Sequence, residues 1–556
     1  MSASTPADSA AARAGRGDGE SRSGGAGGGR DASDSLTPAM GSEAGDRAVL
    51  PSRHPELLTW AVMAISICQF IDATIANVAL PHMQTSLDAS IENVSWVLTS
   101  FIIASAIATP ITGWLSDRIG SRILFLLSCG GFLLTSGLCG LATSLPAMVV
   151  FRIFQGVCAA FMGPMSQTIM YDINRPSRQP RAVAIWGVVV MIAPISGPFL
   201  GGLLTDQLNW RWVFFVNLPI GIPALALIWW LLPSRPIERR RLDLFGFGML
   251  AVALGALQLL LDRGHGRDWL ESREIMVEMC VAISCFWIFL IHSRQTAKPL
   301  FKGSLFHDSN FIASLVLMAA LGLSNVGLSA MLPTMYQTVY GYGVMDTGML
   351  MAPRGVGVVV TMILTNHLMK RLDYRYIAVF GFCVTAFSMW TMTRWSLDQS
   401  SREIIVSGFI QGLGLGFVFV PMNMIGFSRL SVENRMEGSA IMALARNLGA
   451  SFGISVIVTM LARNIQVSHA DLVGGITPFS LPGVDISAMA ERLGTTGGAI
   501  LGMVDGLVNR QAMMIAYLDN FTLMFWLLLA LAPLPLIAKR PPRLGDAPDA
   551  PHMAME

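Results

Sequence analysis

Apolar runs of roughly twenty residues recur along the chain, separated by short stretches where arginine, aspartate, glycine and proline gather. They fall at about 57–80, 94–115, 122–143, 146–170, 182–205, 211–233, 243–261, 274–293, 309–332, 345–368, 375–393, 402–427, 439–462 and 517–538. A helix needs about 20 mostly apolar residues to cross the ~30 Å hydrocarbon core of a bilayer. The pattern therefore predicts an all-α membrane protein with fourteen transmembrane helices.

The connections between the runs carry an uneven load of lysine and arginine. Starting inside, the cytoplasmic connections and the C-terminal tail hold twenty, from Arg118 and Arg122 to Arg543; the opposite ones hold nine. The positive-inside rule then sets both termini in the cytoplasm.

Composition sharpens this at the ends. The chain is 53% hydrophobic and 13% charged, where soluble domains carry about 25% charged residues. Residues 1–55 are a separate regime of Gly, Ser, Ala, Asp and Arg with almost no large apolar side chain, expected to be a disordered cytoplasmic tail, within which Met40 is an alternative start. A second tail is expected at 541–556. Between the last two spans, residues 464–515 are expected as a long loop containing TPFSLPGVD and TTGGAILGMVDG, either a surface excursion or a docking surface. The net charge of +2 gives no reason to expect nucleic acid. All seven cysteines lie in apolar segments, which points to neither disulfides nor a metal site. None of the four lysines follows a glycine, so the Gly-Lys pair of a phosphate-binding loop is missing and ATP hydrolysis by that route is excluded. Uphill movement would need an ion gradient.

Ionisable residues inside spans are costly and mark functional sites by default. Asp72 lies near the centre of the first run, in CQFIDATIANVALP, and Gln69, Ala73, Ala76 and Asn77 are expected to share its face. Burial raises a carboxyl pKa and a neighbouring cation lowers it, so an aspartate whose surroundings change can load and release a proton. It could equally serve only as partner to a buried base. Three basic residues fall within spans: Arg152 in RIFQGVCAAFMGP, Arg354 in MAPRGVG and Arg446 in ALARNLGASFG. Arg152 paired with a carboxylate would be a clamp or part of a relay; Arg354 and Arg446 suit helix-to-helix bonding or headgroup anchoring. In GVVVMIAPISGPFLGGLLT, Ala193, Gly197, Gly201 and Thr205 form a small seam, and Pro194 and Pro198 loosen the helix that carries it. Gly408, Gly412 and Gly416 repeat the spacing later, as an internal repeat would.

Taken together and in order, IDATIANVALP, GWLSDRIGSR, RIFQGVCAA, APISGPFLGG and WRWVFFVNLPIG resemble the motifs of the fourteen-helix drug:proton antiporters of the major facilitator superfamily. MAPRGVG, FVPMNMIGFSRL, ARNLGASFG and NRQAMMIAYLDNF are similar to a multidrug-export branch of that family. The resemblance covers about 57–540. It implies a six-helix bundle at 56–235, two inserted helices at 236–300, and a second six-helix bundle at 301–540 that includes the long periplasmic loop.

The resemblance also implies roles. Asp72 and Arg152 would couple protons; Gly113, Asp117, Arg118, Gly120 and Arg122 would form a cytoplasmic gate; Pro194, Gly197, Pro198, Gly201 and Gly202 would be the antiporter motif. Ser121 stands where a basic residue is frequent, and Lys370 in NHLMKRLDYR stands where an acid is expected, so the gate's charge latch should be one-sided. Candidates for the cargo pocket are Gln69, Asn77, Gln155, Asn325, Tyr336, Gln337, Arg354, Gln411, Asn423 and Arg446. No cofactor is implied; the proton gradient supplies the energy and hydrophobic drugs are the cargo. Localisation would be a bacterial inner membrane, with a periplasmic adaptor and an outer-membrane channel as partners. Alternatives are a dedicated exporter of one metabolite, fatty acid or siderophore, and a non-transporting receptor or scaffold on the same fold.

Overall fold

The structure, a computed structural model, describes residues 48–234, 242–266, 269–296, 299–475 and 497–539. Most of the expected N-terminal tail with Met40, the C-terminal tail and the TPFSLPGVD stretch lie outside those residues. Among the described residues all regular structure is helical. Thirteen helices are long and apolar enough to span a bilayer, and a bent pair makes a fourteenth. In chain order they are α1 (Pro55–Ser86), α2 (Trp96–Ile119), α3 (Ser121–Leu141), α4 (Leu145–Ile173), α5 (Gln179–Gln207), α6 (Trp212–Leu231), α7 (Leu244–Arg263), α8 (Arg273–Gln295), α9 (Ser309–Thr338), α10 (Val344–Leu368), α11 (Tyr374–Met392), α12 (Ser401–Phe427), α13 (Arg435–Gly475) and α14 (Gly497–Leu531).

Local chemistry sets the ends. Asp243, Asp308, Asp373 and Ser400 each accept a hydrogen bond from a backbone N–H in the first turn of α7, α9, α11 and α12, satisfying donors a helix start leaves open. Gly120 has φ +91°, a conformation a side chain would strain, and this lets α2 stop and α3 begin with no loop between them. In α5 the axis turns by 47° between Pro194 and Ser196, where proline removes backbone donors.

The long loop expected at 464–515 needs correcting. α13 runs unbroken through 464–475 and α14 begins at Gly497, so only 476–496 falls outside the described residues. The sequence there is polar enough to end a span but contains no proline before Pro478, and the helix ladder simply continues. Asn464 bonds Asp519 at 3.3 Å and His469 bonds Asp505 at 3.1 Å, holding the two extensions together.

Helix packing repeats between the halves. In the first, α1 lies on α5, α4 on both α2 and α3, and α6 on α3; in the second, α9 lies on α13, α12 on both α10 and α11, and α14 on α11. The halves meet along α5 against α10 and along α2 against α13. The α7–α8 hairpin belongs to neither: α7 rests on α2 and also touches α13. Below, the near end is the one where α1 begins, and the far end is opposite.

Candidate functional site

Asp72 is fully buried; its bonded partners come from α4 and α6, and these in turn draw in α2 and α3. From α4, Arg152 donates through Nη1 to Oδ2 at 2.6 Å, and Gln155 donates through Nε2 to Oδ1 at 3.1 Å. From α6, Asn217 donates through Nδ2 to the same Oδ1 at 3.1 Å and to Ser136 Oγ of α3 at 3.0 Å. Arg152 in turn donates to the Val97 carbonyl of α2 at 2.9 Å and lies 4.2 Å over the Phe101 ring. With both charges dry, this pair is held by geometry and extra donors rather than by Coulomb attraction alone. It is the knot of the first six-helix bundle.

The face assigned to Asp72 splits in two. Asp72 and Ala76 point into the first bundle, whereas Ala73 and Asn77 are not covered by protein. Asn77 is five residues on, a rotation of about 140° around the helix, so the two polar side chains cannot share a face. Gln69 takes a third course, donating to the Ala159 carbonyl of α4 at 2.9 Å.

The seam of α5 packs straight onto the helix that bears Asp72. A Cβ on Gly197 would lie 2.0 Å from Thr74 Oγ1, and one on Gly201 would lie 2.7 Å from the Ile75 carbonyl. Gly202 is buried beside them. Pro198 and Phe199, on the next face, line a cavity of about 230 Å³ with Asn77, Val78 and Pro81 of α1, Pro333 and Gln337 of α9, and Thr347, Gly348 and Met351 of α10. Of the ten expected pocket residues, this cavity brings together only Asn77 and Gln337.

The others lie elsewhere. Gln155 belongs to the Asp72 knot. Tyr336 is buried in the second bundle with its ring 6.3 Å from Trp395, because its helix turns it away from the partner half. Arg354 is 1% exposed and is held by Asn325 Oδ1 at 2.7 Å and Ser329 Oγ at 3.0 Å, with no carboxylate bonded to it among the described residues. Gln411 is fully buried with neither amide atom hydrogen-bonded among the described residues. Arg446 has no hydrogen bond or ion pair among the described residues and points at Phe70 of α1, its guanidinium 5.7 Å from the ring. Phe70 sits against Trp186 of α5, and Trp186 against Phe419 of α12, so an aromatic cluster joins the halves at mid-depth.

Asn423 is part of a seal across the near end. It accepts a bond from Gln167 of α4, and Gln167 accepts from Ser439 of α13 at 2.8 Å. Below it, Tyr171 stacks on Phe427 at 4.4 Å and Arg435 reaches Asp172 at 3.4 Å. The expected gate residues flank this seal. Gly113 allows Glu437 of α13 to approach, since a Cβ would lie 3.3 Å from its Cα. Arg122 instead donates to the Trp229 carbonyl of α6 at 2.6 Å, within its own half, and Arg118 is exposed while Asp117 is half-covered. Lys370, on the equivalent loop of the second half, is exposed, and its neighbour Asp373 pairs locally with Arg375 at 3.0 Å.

A model of the Major Facilitator Superfamily matches residues 62–454. The chain belongs to the major facilitator superfamily. It is 31% identical over 499 residues to the multidrug export protein EmrB of Escherichia coli K12, spanning 89% of this chain and 98% of that one. It is 32% identical to the fatty acid resistance protein FarB of Neisseria gonorrhoeae over 87% of this chain and 96% of that one. Among solved structures it superposes on the proton:xylose symporter XylE with a TM-score of 0.54 at 13% identity, covering 87% of this chain and 99% of that one. The human organic anion transporter MFSD10 gives 0.52 at 14% identity over 85% and 99%. The protein is thus a multi-pass membrane transporter with an EmrB-like sequence, and not an enzyme.

Within this superfamily member, the residues that sequence reasoning passed over are Asn217 and Ser136 in the knot, and Gln167, Asp172 and Ser439 in the seal. Asn217 was in view, in the quoted VNLPIG; an amide inside an apolar span is itself a signal. The seal residues gave no such signal, because their importance comes from meeting across two halves far apart in sequence.

Proposed function

We propose that the chain exports hydrophobic small molecules, drugs among them, in exchange for protons by alternating access. The observation that carries this reading is the placement of Asp72 inside the first bundle, on a helix that the α5 glycine seam grips one residue pair away. Protonating Asp72 removes the only carboxylate paired with Arg152 among the described residues. Arg152 then has Val97, Gln155 and two aromatic rings but no anion, so its position and that of α1 must readjust. Because α5 is in close contact with Thr74 and Ile75, it follows α1, and α5 forms the wall of the cavity and the contact with α10. One proton crossing with the field gives about 2.3 kcal/mol per 100 mV.

The lysine and arginine bias supports a near end in the cytoplasm, with both termini there and the far end outside, in a bacterial inner membrane. In that orientation the sealed near end and the cavity toward the far end correspond to a state facing outward. The paired extensions of α13 and α14 then stand on the outer side, where they suit a periplasmic adaptor that continues to an outer-membrane channel. Deleting 464–515 should abolish co-purification with such an adaptor while leaving membrane insertion intact.

The central test is efflux from vesicles under an imposed pH gradient, wild type against Asp72→Asn, with release of protons on adding cargo to the purified protein as the second readout. Equal efflux and equal proton release in Asp72→Asn, at matched expression, would end the antiport reading.

A second reading is favoured by Arg354 and Arg446. Arg446 faces Phe70 across the halves, and neither it nor the more deeply buried Arg354 has a bonded carboxylate among the described residues, which suits a cargo that brings its own, such as a fatty acid. Under this reading Arg446→Gln should lower efflux of carboxylate-bearing cargo about tenfold, the effect of one ~1.4 kcal/mol contact, and spare cationic dyes.

A further inference from the structure

The two flanks along which the halves meet are built differently. On the α5–α10 flank the contact toward the far end is apolar: a Cβ on Gly348 would lie 2.5 Å from the Phe199 ring and 3.3 Å from its Cβ. In lipid there is no hydrophobic force to hold such a contact, only van der Waals packing. The 230 Å³ cavity opens directly beside it.

On the opposite flank α2 and α13 approach each other mainly over Thr109–Ile119, at the near end. Toward the far end the α7–α8 hairpin fills the space between them and bonds to both. Thr99 of α2 donates to the Asp262 carboxylate of α7. Arg263 stands 5.7 Å over the Trp96 ring of α2 and pairs with Glu274 of α8 at 2.6 Å. In the turn after α7, Trp269 donates through Nε1 to Thr459 Oγ1 of α13 at 3.1 Å. One element therefore ties the far end of the first half to the far end of the second.

We propose that the inserted hairpin is a strap across the α2–α13 flank, so that the far end opens on the other flank only and apolar cargo leaves between α5 and α10. This rests on the alternating-access reading above. These polar bonds add to the van der Waals packing that otherwise seats a helix pair in a cleft within the bilayer. Asn77 and Gln337 line the resulting exit with Phe199, Pro333 and Met351, an apolar wall with two amides at its edge. Such a wall passes a hydrophobic molecule and orients any polar group it carries. The near end has no equivalent strap among the described residues; there the halves bond each other directly.

The test uses the full chain in liposomes, with the native cysteines replaced. Spin labels at Leu203 and Met349 report the α5–α10 flank, and labels at Leu98 and Met460 report the α2–α13 flank. Distance distributions are compared at acid and neutral pH, with and without ethidium. The expected result is a shift of several ångströms in the first pair and none beyond the distribution width in the second. A double change, Thr99→Val with Trp269→Phe, should then free the second pair. Equal movement of both pairs in the unmodified strap would overturn the proposal and leave the transporter reading standing; movement of neither pair would overturn both. A disulfide between Phe199→Cys and Gly348→Cys, whose Cβ atoms fall near the usual 3.5–4.5 Å, should also stop ethidium efflux, with reduction restoring it. Efflux undiminished by that bond would place the exit elsewhere.

Discussion

Arg152 holds the carboxylate of Asp72 at 2.6 Å in a space where neither residue meets solvent, and the cavity lies around the other side of the same helix. Removing either charge leaves the other buried alone, a loss of about 3–5 kcal/mol. Asp72→Asn and Arg152→Gln should therefore each lower the melting temperature of the purified protein. The double change, neutral on both sides, should recover most of that stability. If Asp72 carries the proton, efflux stays absent in the double variant; recovery of efflux there would make the pair a structural clamp only.

Asn217 supplies the third donor to Asp72 and fixes its orientation through Ser136. Asn217→Leu leaves one carboxylate oxygen with a single partner and should cost about 1–3 kcal/mol. The pH dependence of efflux should move, with half-saturation by cargo unchanged, because the side chain is remote from the cavity. A change in cargo affinity with an unmoved pH profile would contradict this placement.

The contact between Gly197 and Thr74 leaves no room for a methyl group. Gly197→Ala should destabilise the protein by about 1–3 kcal/mol and reduce efflux, as overpacking forces α5 from α1. Thr74→Ala in the same chain should restore part of both. Absence of rescue, measured by melting and by efflux, would mean that the seam acts through something other than this approach.

At the near end, each bond of the seal resists separation of the halves. Ser439→Ala removes the single hydroxyl proton that lies within reach of both Gln167 Oε1 and the Pro164 carbonyl. At about 0.5–1.5 kcal/mol per bond, the population open at that end should rise roughly two- to tenfold or more. Faster labelling of Ala443→Cys by a thiol reagent would register it; an unchanged rate would assign closure to the other contacts of the seal, the Tyr171–Phe427 stack, the Gln167–Asn423 bond and the Arg435–Asp172 pair.

Fourteen spans, their order and the charge alternation of their connections were legible in the sequence because hydropathy reports a requirement of the bilayer itself. Asp72 and Arg152 stood out for the same reason. Which face they share was not legible: Asn77 looks like a neighbour of Asp72 in the text and is turned some 140° away on the helix. Arg354, Gln411 and Asn423 were equally visible as polar residues in apolar runs, but their partners come from helices distant in sequence. The helical continuation of α13 and α14 was hidden by polarity, which ends a membrane span without ending a helix. Asn217 lies within WRWVFFVNLPIG, where one amide weighs little against the aromatic residues around it.

α13 has 41 residues, about 60 Å of continuous helix, twice the hydrocarbon thickness. One end takes part in the seal through Ser439 and the other leaves the membrane braced by α14. A rod of this kind is a lever. A rocking of the second half by a few degrees, small where the helices are packed, becomes a displacement of about 1 Å at the tip for every 3° over a projection of ~20 Å. Anything resting on that tip would register which way the transporter faces without touching its cargo.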